Sequence, residues 1–120
     1  MSRRVVFLAS PLRGNYERNI AYAKACTIDS IAKGEAPFVP HLLYTQVLDD
    51  KDVEERRAGL SCGSAWIPRV SAIVVYTDYG ISEGMFREIT EAESCGVPVE
   101  FRKIAFNDSA FAAQSARGEG

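Results

Sequence analysis

A chain of 120 residues can bury the core of one domain and is too short for two. Hydrophobic residues at 47% and charged residues at 25% are globular proportions, which exclude a disordered or membrane-embedded class. The formal net charge of -2 supplies no basic field for a nucleic-acid backbone, so polymeric DNA or RNA is not an expected partner.

In chain order, residues 4 to 9, RVVFLA, form a β-branched and aromatic run typical of a strand buried on both faces of a parallel sheet. A helix follows from Asn15, its cap, with Tyr16, Ile20, Ala23, Thr27 and Ile31 at helical spacing and Gly34 as its stop. APFVP, fenced by Pro37 and Pro40, is a second strand candidate, followed by the irregular HLLYTQVLDDKD. Residues 52 to 67 set Val53, Leu60, Ser64 and Ile67 on one side of a helix weakened by Gly59 and Gly63. SAIVVY, 71 to 76, is the clearest central strand; a helix from about Ser82 to Cys95 and a fourth strand in GVPVEFRKI follow. The domain is expected to span 1–104, with 105–120 as a loose tail rich in Ala, Ser and Gly.

This alternation predicts an α/β fold: a flavodoxin-like or Rossmann-like parallel sheet of four to five strands with helices on both faces. Ligands of such sheets bind outside the carboxyl ends of the strands, at the topological switch, which is where the turns 10–16 and 78–88 fall.

Cys26, Cys62 and Cys95 are odd in number and lack the close spacing of metal or redox motifs. They read as buried small hydrophobes in a reducing compartment. The apolar stretch after Arg3 and Arg4 is too short for a signal-peptide core, and no other segment approaches spanning length, so a cytoplasmic setting without membrane contact is expected. His41 is the single histidine, which leaves no His-based metal centre.

In the first turn, backbone N–H groups at a helix start favour an anion, with Ser10 offering a hydroxyl, Arg13 a guanidinium fork and Gly14 close backbone approach. The same residues also suit a plain tight turn. On the helix SEGMFREITEAESC, Met85, Ile89, Ala92 and Gly96 make an apolar stripe, and Glu88 lies about sixty degrees from it. Glu83, Arg87, Glu91 and Ser94 are expected on the opposite side. A carboxylate at the edge of an apolar stripe loses hydration and needs a partner or a task. Glu88 is therefore either a nucleophile, base or hydroxyl acceptor, or half of a salt bridge to Arg13 or Arg69. Ser82 is a second anion or hydroxyl contact, or only a helix cap. His41 stacks on or bonds a ligand base, or is a loop histidine. Tyr44, Gln46, Asp49 and Asp50 share a loop suited to recognition or to a solvated acidic turn. Trp66 and Tyr76 read as core, and EERR, 54 to 57, as a solvated helix face.

ASPLRGNYERNIAYA, PHLLYTQVLDD, EERRAGL and ISEGMFREITEAESCGVPV together resemble the small proteins grouped as uncharacterised relatives of nucleoside 2-deoxyribosyltransferases, including those labelled DUF4406 and DUF7768. The resemblance covers about residues 4 to 102 and extends more distantly, through S-x-x-R-G and Gly84-x-x-x-Glu88, to the 2'-deoxynucleoside 5'-phosphate N-hydrolases. It implies a flavodoxin-like sheet, hydrolysis or transfer at an N-glycosidic bond of a small-molecule nucleoside or nucleotide, and a homodimer or higher homo-oligomer whose neighbour completes the site. It further implies Glu88 as the nucleophile, Ser10, Arg13 and Gly14 as phosphate ligands, and Ser82 as a second phosphate or sugar contact; Gly84, His41 and Tyr44 are expected beside them as binding residues. Such chemistry calls for no metal or redox cofactor. Two positions depart from the hydrolases, where a tyrosine and an aspartate assist: here they match Val6 and a residue near Gly63, neither of them an acid or base. That departure keeps open a protein that binds a nucleotide or nucleotide-derived signal without turnover.

Overall fold

The computed structural model describes residues 2–107. β1 (Arg4–Ala9) is apolar on both sides because it is an inner strand. β2 (Glu35–Phe38) pairs with one edge of it and β3 (Ala72–Tyr76) with the other, and β4 (Val99–Arg102) lies beyond β3. All three pairings are parallel, with Val6 opposite Pro37 and Ala72, and Ile73 opposite Val99. Pleating sends Phe7, Ala9, Ile73 and Val75 to one face. Val6, Leu8, Ala72, Val74 and Tyr76 go to the other. Helices α3 (Val53–Trp66) and α4 (Glu83–Ser94) follow β2 and β3, and Ile67, Met85, Ile89 and Ala92 cover the first face. α1 (Tyr16–Ala32) covers the second with Tyr22, Ala23 and Cys26. The result is the expected α/β sheet of four parallel strands with helices on both faces.

Several local readings are corrected. The buried side of α1 is Asn19, Tyr22, Ala23, Cys26 and Ser30, whereas Tyr16 and Ile31 are exposed. The stripe is rotated because two of its members are polar and invisible to a hydrophobic pattern. Asn19 bonds the turn before α1, and Ser30 donates to Glu35 at 2.8 Å. On α3 only Gly63 is buried, with Val53 and Leu60 exposed. Pro37 sits inside β2, which tolerates it as an edge strand, while Pro40 opens the short α2 (Pro40–Leu43). Tyr76 is core as expected, but Trp66 is 40% exposed, stacked on Phe38 at the sheet edge with ring centroids 4.4 Å apart. Cys26 is buried, whereas Cys62 and Cys95 lie on the surface of α3 and just after α4.

After β4 the chain is pinned back on the α1 side. The Asp78 carboxylate accepts from the Tyr22 hydroxyl at 2.6 Å and from the backbone N–H groups of Ile104 and Phe106 at 3.0 and 3.2 Å. From residue 108 the tail expected over 105–120 lies outside the described residues. No helix among the described residues is long and apolar enough to cross a membrane.

The buried Glu35 closes the sheet on this side. Arg102 meets it twice at 2.7 Å, Arg4 at 2.6 Å, and Ser30 completes the set. Arg102 first, and then Arg4 and Ser30, hold its carboxyl at about 2 against the opposing effect of burial. A folded-state value below the unfolded one makes stability full above about pH 4.5 and lost as pH falls toward 2. Urea unfolding across that window is expected to show Glu35→Gln less stable than wild type by roughly 3 kcal/mol at pH 7, the difference vanishing near pH 2.

Candidate active site

Because β1 and β3 are neighbours with their helices on opposite faces, the turns at their carboxyl ends flank one crevice. Here it is a cleft of about 550 Å³, walled by the first turn, α2 and the loop after it, α3, and α4 as far as Glu91. Ser10, Arg13, His41, Tyr44, Ser82, Gly84 and Glu88 all border it; Gly14 does not.

The first turn is set by its own residues. Gly14 has φ +101°, a conformation that L side chains rarely adopt, and Asn15 caps α1 by accepting from the Arg18 N–H at 3.2 Å. Asn19, fully buried one turn later, donates to the carbonyls of Leu12 and Arg13 at 2.9 and 3.2 Å and thereby latches the turn to the helix. Sequence reasoning missed Asn19; its one signal was an asparagine in a helix body, where it is disfavoured without such a task. Ser10 is 1% exposed and its Oγ has no hydrogen-bond partner among the described residues, an uncompensated polar atom at the cleft wall.

His41 Nε2 lies 2.9 Å from the Ser10 carbonyl. A carbonyl only accepts, so Nε2 carries the hydrogen and Nδ1 is left as an acceptor. Burial lowers the imidazole's pKa, against the Ser10 bond and the Asp50 charge. Tyr44 accepts from the Trp66 indole N–H at 3.1 Å, which ties the loop to α3.

The anion seat expected at Arg13 already holds a carboxylate of the same chain. Asp50 stands 3.6 Å from Arg13 Nε and 3.6 Å from Arg56 Nε. Ser82 is the N-cap of α4, its Oγ accepting from the Met85 N–H at 3.2 Å, which leaves the hydroxyl hydrogen to donate elsewhere. Met85, Ile89 and Ala92 form the buried stripe as read from the sequence, whereas Gly96 is exposed beyond the end of α4. Contrary to expectation, Glu83, Arg87 and Glu91 do not face away: all three border the cleft, which reaches around the polar side of α4. Glu91 is fixed by a 3.0 Å bond from Ser64 Oγ on α3. Both partners were missed as site residues, although Glu91 stands three positions after Glu88.

Glu88 is partly buried in this wall and makes no hydrogen bond or ion pair among the described residues. Neither salt bridge considered for it forms, since Arg13 faces Asp50 and Arg69 donates to the Ala65 carbonyl. Burial pushes its carboxyl up to about 8, with the Arg87 charge opposing and the Glu91 charge adding. Val6 is packed in the α1-side core and does not border the cleft, whereas Gly63 does. Among the described residues no group of His, Cys, Asp and Glu could hold a metal ion.

Strand order and the cleft at the β1–β3 switch define the molecule as a flavodoxin-like α/β protein. Residues 4–102 match the family described as Domain of unknown function (DUF7768), and the chain belongs to that family. Its fold is similar to that of a 2-deoxyribosyltransferase from the psychrotolerant bacterium Bacillus psychrosaccharolyticus. That likeness has a TM-score of 0.68 and 15% identity over 88% of this chain and 79% of the other. No curated protein matches the chain.

An unpartnered carboxyl raised from 4.5 to about 8 favours the unfolded state increasingly as pH rises through that interval. Glu88→Gln is therefore expected to be more stable than wild type at pH 8 to 9, by up to a few kcal/mol, and no more stable below pH 4.5. Urea unfolding at a series of pH values measures the difference.

Proposed function

We propose that the protein cleaves or transfers the N-glycosidic bond of a small nucleoside or nucleotide, with Glu88 attacking the anomeric carbon. The observation that carries this reading is a partly buried carboxyl, unpaired among the described residues, in the wall of a cleft large enough for a nucleotide. A carboxylate held roughly 3 Å from an electrophilic carbon gains from fixed orientation and from the exclusion of water. The fold likeness to a 2-deoxyribosyltransferase supports the same class of substrate. In this reading Ser10 and Arg13 hold a phosphate, Ser82 and Gly84 hold phosphate or sugar, and His41 and Tyr44 contact the base. Gly14 keeps the backbone of the first turn close to the phosphate. The reading includes a homo-oligomer, for which the exposed Phe86 and Phe101 offer apolar surface.

The second reading is a module that binds a nucleotide or nucleotide-derived signal without turnover. It is favoured by Val6 and Gly63, which supply no acid or base.

Chromatography of base released from deoxynucleoside monophosphates, beside calorimetric affinity, separates the two. Release that falls at least a thousandfold in Glu88→Gln with affinity kept supports the enzyme; tight binding with no release from either protein supports the module.

The phosphate assignment has its own check, because Asp50 competes for the same guanidinium groups. Arg13→Ala is expected to weaken monophosphates about tenfold or more while sparing nucleosides, and Asp50→Asn to strengthen monophosphates alone. Equal effects on both ligand classes would place the phosphate elsewhere.

A further inference from the structure

Glu88 and Glu91 stand three residues apart on α4 and border the same cleft, a spacing that brings helix side chains within about 5–6 Å at Cβ. Their surroundings differ. Among the described residues Glu88 has no polar partner, whereas Glu91 Oε2 accepts from Ser64 Oγ across the gap between α3 and α4. The serine holds that carboxylate by one oxygen, and the Glu91 charge adds to the rise of the Glu88 carboxyl. The cleft wall also contains the buried, unpaired Ser10 Oγ, a separate sign that a polar ligand completes it.

We propose that Glu91, positioned by Ser64, is the proton carrier of this site and shares a single proton with Glu88. The proposal rests on the glycosidic reading above and adds the group that assists the leaving base. In the resting pair the proton sits on Glu88. Transfer to Glu91, directly or through one water, leaves Glu88 anionic. Its oxygen then forms a bond to the anomeric carbon while the carbon–nitrogen bond breaks, the electron pair going to the base nitrogen and the proton of Glu91 neutralising it. Water reverses the sequence: it attacks the anomeric carbon, the Glu88 ester bond breaks, and the proton of the water returns to the pair. Atoms and charge balance with no further reactant.

The charged groups bordering the cleft beside the pair are Glu83 and Arg87 from α4, Glu55 and Arg56 from α3, Arg13 and Asp50 from the loops, and His41 from α2. Asp50 occupies both Arg13 and Arg56, so Arg87 is the guanidinium that opposes the pair's negative charge. A pair that works while holding one proton loses activity as pH rises past the point, near 8, where that proton leaves. A lone Glu88 nucleophile would instead gain activity through the same interval.

The test compares wild type, Glu91→Gln and Ser64→Ala on a deoxynucleoside monophosphate and on the nitrophenyl glycoside of the same sugar phosphate, whose leaving group needs no proton. Expected for Glu91→Gln are a loss of about 10²–10⁴ in rate on the nucleotide, little loss on the nitrophenyl substrate, and a pH profile turned from falling to rising. Carboxyl NMR should show Glu88 titrating lower in Glu91→Gln, and Ser64→Ala should give a smaller loss confined to the nucleotide. Unimpaired nucleotide cleavage by Glu91→Gln, equal losses on both substrates, or a wild-type rate that rises through pH 8 would each overturn the role of Glu91 while leaving the glycosidic reading intact. Cleavage of neither substrate by wild type would remove that reading and this proposal with it.

Discussion

The cleft depends on one topological constraint: β1 is paired on both edges, with the chain leaving it toward β2 through α1 and returning to β3 through α3. Helices leaving neighbouring strands toward opposite faces cannot cover the strand ends between them. Each wall of the cleft follows from that reversal. The turn after β1 supplies Ser10 and Arg13, the return from β2 supplies His41, Tyr44 and Asp50, and α4 brings Ser82 and Glu88 from the far side. Polar groups are gathered there because the sheet that positions them is buried and apolar on both faces. Val6 through Ala9 and Ala72 through Tyr76 are at most 1% exposed.

A turn facing a cleft needs its backbone held from behind, and Asn19 does this. Both hydrogens of its amide go to carbonyls of the first turn, and its Oδ1 accepts from Arg18. The Arg18 guanidinium in turn lies 3.9 Å over the Tyr79 ring, beside the Tyr22–Asp78 pair. The turn after β1 and the turn after β3 are thus braced by one continuous set of contacts on the α1 side, behind the crevice. Residues on the opposite side remain free to present side chains to it.

What was legible in the chain followed the apolar pattern. RVVFLA and SAIVVY are continuous runs because their strands are inner ones, and the Met85–Ile89–Ala92 stripe of α4 is apolar throughout. The strand alternation then located the cleft, and its carboxyl-end turns carried most of the candidate residues. Illegible were the places where a polar side chain is buried for a specific partner. Asn19 and Ser30 rotated the inner face of α1, and the Asp50 contacts occupied an Arg13 that looked free. Glu91 was assigned to solvent because helical periodicity assumes one inner face. α4 has two: an apolar one against the sheet and a polar one against α3 across the cleft.

Two carboxyl groups in this molecule show how differently one side chain is used. Glu35 is buried with two guanidinium groups and a hydroxyl, its pKa lies near 2, and its charge stabilises the fold at neutral pH. Glu88 is partly buried with no such partners among the described residues, burial raises its pKa to about 8, and ionising it works against the fold. An apolar residue of similar size at 88 would serve stability better, since the Arg87 charge offsets only part of the effect of burial. The chain also sets a tethered negative charge three residues away, which makes ionisation at 88 harder still. Packing needs neither feature. The proton transfer proposed for this pair, from Glu88 through Glu91 to a departing base, needs both.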